Sequence, residues 1–371
     1  MTIRIGVLSF AHTHAIGYLS ALATMPGVEV RGTDPDGVST GPSVGELRGR
    51  DLADALGVPY ADGYDELLAW RPDAVVVTSE NTRHRELVER AAAAGAHVLC
   101  EKPLATTWED GLAIRDAVAA AGVMLMVAFP VRFSSAFAQL RAAHHAGALG
   151  QLFAVRGANT GMLPRTRDWF TDPALSGGGA VVDHVVHIAD MLDALMGAAP
   201  LTVTAVANRT LHADRARAET AGLVTITYDN GVVAAIDCSW SVPDTAPVWG
   251  GLTLDVAGTG GTVSLDPFGP AARGLDTVTG RPIVSRYGAD LDDAMLRTFV
   301  DAVRNGTQPQ PDVRVGLRTL SIVLAAQESI RTGRTVAVDA VTGTGTGTDA
   351  RTLRPGIAGP DDLSAAVPPS A

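Results

Sequence analysis

The sequence predicts an α/β fold in two parts: a parallel sheet built from βαβ units, then an α+β region with an antiparallel or mixed sheet. Three observations carry this. Short apolar runs alternate with helix-like segments over the first 128 residues. Longer strand-like runs dominate from about residue 150, two of them joined through Asn230-Gly231, a strong hairpin signal. In the second part lies Gly177-Gly178-Gly179, followed by a nearly all-apolar helical stretch that carries Asp183, His187 and Asp190.

The elements follow in order. Residues 3–8 form a short apolar strand, 12–25 a helix closed by Pro26-Gly27, and 28–32 a second strand. The turn signal Asp34-Pro35-Asp36-Gly37 comes next. Residues 44–56 read as a helix, 74–78 as a buried strand, 83–94 as a helix ending at Gly95, and 97–100 as a strand. A helix at 108–121, stopped by Gly122, and a strand at 123–128 complete the first part. This spacing implies parallel strands with right-handed crossovers, and a ligand crevice at their carboxyl ends. Strands are expected at 152–158, 201–208, 223–228, 232–240 and 252–257, and closing helices at 292–305 and 313–332. From residue 341 Thr-Gly repeats and Pro-, Ala- and Ser-rich sequence imply a disordered tail. The expected units are therefore 1–128, 129–340 and the tail 341–371.

Composition narrows the function. Apolar residues make up 46% and charged residues 19%, which suits a large aliphatic core. No apolar run reaches the roughly 18 residues that span a bilayer, so no membrane partner is expected. The first residues run straight into a strand without a signal-peptide pattern. Two cysteines, Cys100 and Cys238, cannot build a disulfide framework, which points to the cytoplasm. A net charge of −11 argues against nucleic acid.

At about 100° per residue, Asp183, His187 and Asp190 fall within roughly 60° on one helix face. Buried carboxylates must be paired or face a polar pocket. The face is thus either an internally satisfied cluster or an acid/base pair delivered to a substrate. The first strand-to-helix turn suits a dinucleotide loop, but Ser9, Ala11 and His14 stand at the three glycine positions of G-x-G-x-x-G. The helix start still offers amides and a positive dipole to a phosphate, and His12 or His14 would add a side-chain hydrogen bond to the pyrophosphate. Asp34 either begins an Asp-Pro turn or accepts the adenosine ribose hydroxyls. No basic residue follows it directly, so NAD is favoured over NADP. Pro103 forces Lys102 out of helical geometry at a strand end, where it is either a solvated lysine or a charge aimed into the crevice.

Taken together, these residues resemble the Gfo/Idh/MocA family of oxidoreductases (glucose–fructose oxidoreductase, inositol dehydrogenase, MocA). The matching residues are Glu101-Lys102-Pro103, Asn81-x-x-His84, Arg132-Phe133, Asp172-Pro173 with Gly177-Gly178-Gly179, Asp183-x-x-x-His187-x-x-Asp190, and the helix from Phe299 to Gly306. The likeness runs from about residue 2 to 338. It implies a Rossmann NAD(P) domain and an open mixed sheet that often forms a homodimer or homotetramer interface. It also implies hydride transfer between nicotinamide and a secondary hydroxyl or ketone of a sugar, polyol or cyclitol. His187 would be the base, Lys102 the holder of the reacting oxygen, and Asp183 a ligand of a substrate hydroxyl, with Asp190 orienting or packing. Cofactor contacts would come from Ser9, Phe10, Ala11, His12, His14, Asp34, Ser79, Asn81, His84, Glu101 and Lys102. Arg132, Asp168 and Trp169, with neighbouring Arg167, would lie on the substrate side. No metal is expected, since His12, His14 and His184 offer no complete ligand set. His144-His145 reads as a solvated helix end and His212 as loop. The rival classes are a non-catalytic sugar- or nucleotide-binding relative and a lyase that uses NAD for transient oxidation.

Overall fold

The computed structural model describes residues 2–342 apart from 165, 270, 276–281 and 287–288. The tail expected from sequence therefore lies, from residue 343 onward, outside the described residues.

Strands β1 (Ile3–Leu8), β2 (Val28–Thr33), β3 (Ala74–Val77), β4 (His97–Cys100) and β5 (Leu125–Val127) form one parallel sheet in the order β2-β1-β3-β4-β5. The order reverses direction between β1 and β3, and the crevice above their carboxyl ends is where a dinucleotide binds in such sheets. The crossovers carry α1 (His14–Thr24), α2 (Gly49–Leu56), α3 (Tyr64–Ala69), α4 (His84–Ala93) and α5 (Trp108–Ala121). Helix α5 has the ends its sequence prescribes. The Thr107 hydroxyl accepts from the Asp110 amide, and Gly122 closes it at φ 67°.

One helix departs from expectation. Residues 44–48 are not helical, because Gly45 favours no helix and Gly49 enters α2 at φ 54°. The segment instead wraps back so that Arg48 reaches Asp34.

The second sheet is mixed. Strands β6 (Leu152–Gly161), β7 (Pro200–Asn208), β8 (Ala221–Tyr228), β9 (Val233–Ser239), β10 (Gly250–Gly258) and β11 (Gly261–Leu265) join β14 (Val336–Ala337) in the order β11-β10-β6-β9-β8-β7-β14. Only β6 and β9 run parallel. The β8–β9 hairpin turns through Gly231 at φ 84°, as the Asn-Gly signal implies. Helix α6 (Ser135–His145) links the two sheets. After it come α7 (Pro173–Ser176), α8 (Ala180–Met196) and the ribbon β12 (Ala271–Leu275) with β13 (Pro282–Arg286). Helices α9 (Leu291–Asn305), α10 (Val313–Thr332) and α11 (Val338–Thr342) end the described chain.

Helix α8 packs on one face of this sheet, while Phe153, Val206, Leu223 and Val233 stand exposed on its strands. Helix α9 packs against the first sheet, and α10 ties the two sheets together. Met295, Leu296, Phe299 and Val300 of α9 are fully buried in the core of the first sheet, beside Leu19 and Leu22 of α1. Each such side chain contributes roughly 1.5–3 kcal/mol. Helix α10 lies against α5, β5, α8 and β7, and so holds α8 above the crevice.

Candidate active site

The three glycines exist because of what the chain must pass. A Cβ on Gly179 would sit 1.9 Å from the Glu219 carbonyl oxygen, and Gly177 and Gly178 have φ of 79° and 158°. That close approach lets the Glu219 carboxylate accept from the amides of Gly179 (2.8 Å) and Val181 (3.2 Å). An anion at the positive end of α8 satisfies amides that the helix itself leaves orphaned.

Three of the helix's polar side chains then diverge. Asp183 turns to Lys102, whose Nζ lies 2.5 Å from its Oδ1. Trp240, at the end of β9, donates its Nε1–H to the other oxygen at 3.1 Å, and His184 Nε2 lies 3.2 Å from it. Burial pushes the Asp183 carboxyl up, but the Lys102 charge and then His184 overcome this and hold it well below the carboxylate range. His187 stands against Phe129, edge to face at 5.9 Å, and its Nδ1 has no partner among the described residues. Burial first, and then the Lys102 charge, push it well below 6.5. A neutral imidazole beside a lysine that is locked to a carboxylate can accept a proton from an oxygen held by that lysine.

Asp190, on the same helix face, takes no part in this. Its carboxylate accepts from Arg132 Nε at 3.0 Å to each oxygen, and both side chains are buried. Arg132, expected on the substrate side, therefore does not line the cavity. Nor do two further residues expected there. Asp168 is exposed, and Trp169 is buried against Phe170 while donating to the Ala11 carbonyl at 3.0 Å.

The cofactor turn has its own order. Ser9 holds φ 67° in the place of the first glycine. Its Oγ accepts from the Ala11 amide at 3.2 Å and donates to Asp34 at 3.2 Å. His14 puts Nδ1 2.8 Å from Glu101 Oε1, and Tyr18, one turn later, donates to the same oxygen at 2.8 Å. Glu101 is fully buried. Burial pushes its carboxyl up, but His12 and His14 overcome this and hold it far below its usual value. Asn81 donates to the Ser176 carbonyl, His84 Nδ1 meets the Pro103 carbonyl, and Ser79 donates to the Glu80 carbonyl. All three are buried, and His84 fixes the turn that carries Lys102.

Asp34 is not alone, as its sequence neighbours suggested. Arg48, 14 residues on, grips both its oxygens at 2.7 and 2.9 Å, and the Gly49 amide adds 2.9 Å. Against the upward push of burial, Arg48 lowers the Asp34 carboxyl. Arg167, from the second part of the chain, clamps the same segment through the carbonyls of Gly45 and Leu47.

Sequence reading missed Arg48, Tyr18, Trp240 and Glu219. Only Tyr18 had a local signal, its i+4 spacing from His14 on a helix.

A cavity of about 1000 Å³ runs from His12, Thr13 and His14 past Lys102 to Asp183, His184 and His187, with Asp244, Asp290 and Asp292 among its walls. That volume is at the upper end for small-molecule sites. A doubly wound sheet with such a crevice, joined to a lysine–carboxylate–imidazole cluster, defines a nicotinamide-dependent oxidoreductase. The comparisons agree. Residues 42–129 match the description "Oxidoreductase family, NAD-binding Rossmann fold" and residues 137–264 match "GFO/IDH/MocA C-terminal domain". D-apiose dehydrogenase of Paraburkholderia graminis is 30% identical over 77% of this chain and 79% of its own. D-xylose 1-dehydrogenase (NADP(+)) 2 of Haloferax volcanii is 31% identical over 79% and 90%. The crystal structure of GenD2 from gentamicin A biosynthesis, in complex with NAD, is 25% identical and superposes with a TM-score of 0.78 over 91% of this chain and 96% of that one. The chain belongs to the Gfo/Idh/MocA family of oxidoreductases, with an NAD-binding Rossmann domain. Among the described residues no helix is long and apolar enough to cross a membrane.

Proposed function

We propose that the enzyme moves a hydride between NAD and a secondary hydroxyl or ketone of a sugar, polyol or cyclitol. The observation that carries this is the Lys102–Asp183 pair in one cavity with a neutral His187, whose Nδ1 has no hydrogen-bond partner among the described residues. When bound, the nicotinamide supplies or accepts the hydride. Lys102 holds the reacting oxygen and favours its anionic form, because its ammonium is fixed by Asp183 and Trp240 fixes Asp183 in turn. His187 takes the hydroxyl proton on oxidation and returns it on reduction. The relatives named above, D-apiose dehydrogenase and D-xylose 1-dehydrogenase, support a sugar-like substrate. The intact cluster favours turnover over a purely binding role.

A panel of sugars and cyclitols, followed by NADH formation at 340 nm, tests the reading. Turnover of at least one member is expected. NADH that fails to bind by fluorescence titration, or a panel inert with cofactor bound, would overturn it.

We also propose a homodimer or homotetramer through the open sheet, supported by exposed Phe153, Leu223, Val206 and Val233 on its strands. Cytoplasmic placement is supported by Cys100 and Cys238, which are both buried and unpaired.

A further inference from the structure

The turn that should grip the cofactor's diphosphate has committed most of its own amides, Thr13 excepted. The Ala11 amide is bound to Ser9 Oγ at 3.2 Å, the His12 amide to the Thr78 carbonyl at 2.8 Å, and the His14 amide to His12 Nδ1 at 3.1 Å. The Phe10 amide faces Asp34. A glycine loop works by presenting such amides to phosphate oxygens. Of that cradle the Thr13 amide, at the cavity wall, is left without an acceptor among the described residues, and Ser9 keeps the tight turn at φ 67°.

A side chain stands in the vacated role. His14 occupies the third glycine position and opens α1, and its ring lines the cavity with its side chain about a third exposed. Its Nδ1 is committed to Glu101, which leaves Nε2 for the cavity. Glu101 is fully buried, so its charge needs a cation, and His14 is the one in direct contact. Tyr18 completes the carboxylate and cannot neutralise it.

A metal is the rival use of this cluster, since ligand atoms of His12, His14 and Glu101 lie within 4.8 Å of one another. His12 argues against it. Its Nδ1 accepts the His14 amide, so Nε2 carries the proton and has no lone pair to offer. That buried Nε2 has no hydrogen-bond partner among the described residues, and it adds a donor, not a ligand, beside Glu101.

We propose that the cofactor's diphosphate is anchored by His14, charged through its ion pair with Glu101, in place of a glycine loop, so that dinucleotide affinity falls as pH rises through the His14 titration. This rests on the dinucleotide reading above. Glu101 outweighs the effect of burial on His14, so its titration lies above 6.5. The groups facing it are His12 from the turn, Tyr18 of α1, Glu101 and Lys102 beyond β4, Asp183 and His187 of α8, and Asp290 and Asp292 at the start of α9. Burial moves His12 and His187 to lower pH and Tyr18 to higher pH, out of this window. Asp292 is raised from the carboxylate range by burial, and Asp292→Asn serves as its control.

The test is calorimetric titration with ADP-ribose, which carries the diphosphate without nicotinamide, and with NADH, from about pH 6 to about pH 9. The dissociation constant should rise by up to about tenfold per pH unit above the His14 titration. His14→Gln should bind more weakly at the acid end and lose the slope, while His14→Lys should bind with little pH dependence. A flat wild-type profile, a His14→Gln variant with unchanged affinity and slope, or affinity that follows added Zn²⁺ instead of pH would overturn the proposal. Failure of both probes to bind at any pH would instead sink the dinucleotide reading itself.

Discussion

Arg132→Met separates a structural role from a substrate-binding one. Arg132 gives Nε to both oxygens of Asp190 at 3.0 Å and Nη2 to its backbone carbonyl at 3.2 Å, and Asp193 lies 3.7 Å away. The side chains are 9% and 1% exposed, so the variant strands a carboxylate in the core. Breaking one side of a buried pair costs about 3–5 kcal/mol. Unfolding entropy of about 2.1 cal/mol/K per residue gives roughly 0.7 kcal/mol/K for roughly 340 residues, so Tm should fall by about 4–7 °C.

The loss should depend on pH. Burial pushes Asp190 up to about 6 even against Arg132, above its unfolded value near 3.8. Its ionisation therefore costs stability as pH rises through about 6, and without Arg132 the folded value climbs further, so the deficit shrinks toward pH 5. Scanning calorimetry at about pH 5 and about pH 7 reads both effects. The double variant Arg132→Met, Asp190→Leu should recover most of the Tm, because no charge remains unpaired. A single variant within a degree of the parent, with a raised KM and normal kcat, would show that Arg132 serves the substrate instead.

Two further outcomes follow from α8. Since His187 is held neutral by burial and Lys102, the oxidation rate should persist as pH drops through 6.5 and fall only below it, and His187→Gln should keep NADH binding while losing about 10²–10⁴ in turnover; a profile that collapses at 6.5 or above counts against it as base. Gly179→Ala should yield no folded protein, because its Cβ would overlap the Glu219 carbonyl, while Glu219→Ala should fold with about 1 kcal/mol less stability in urea titration. A stable, active Gly179→Ala protein would refute the packing argument.

Much of the fold was legible because its signals are local. The strands at 3–8 and 97–100, the helices at 108–121 and 313–332, and the Asn-Gly hairpin rest on periodicity, caps and turn chemistry within a few residues. The polar face of α8 was legible for the same reason. The partners were not. Asp34 is met by Arg48 across a segment with no periodic pattern, Asp183 by Trp240 from a strand 57 residues on, and α8 is capped by Glu219, 40 residues beyond Gly179. Arg132 shows the converse error. Its motif was recognised, but the motif gave no indication that Asp190 would claim its guanidinium.

One physical rule would have narrowed those choices. Asp34, Glu101, Asp183 and Asp190 each stand next to apolar sequence at a strand end or on a greasy helix, and all four are buried. A buried carboxylate requires a cation or a full set of donors. The structure supplies one to each: Arg48, His14, Lys102 and Arg132, all from other elements. Three of these pairs close on themselves and hold the scaffold or set the lysine. The fourth is different, because its cation is an imidazole that titrates, is raised against burial above its usual value by Glu101, and has only its Nδ1 bound to that carboxylate. Of the four pairs, His14–Glu101 is therefore where pH can reach the cofactor site.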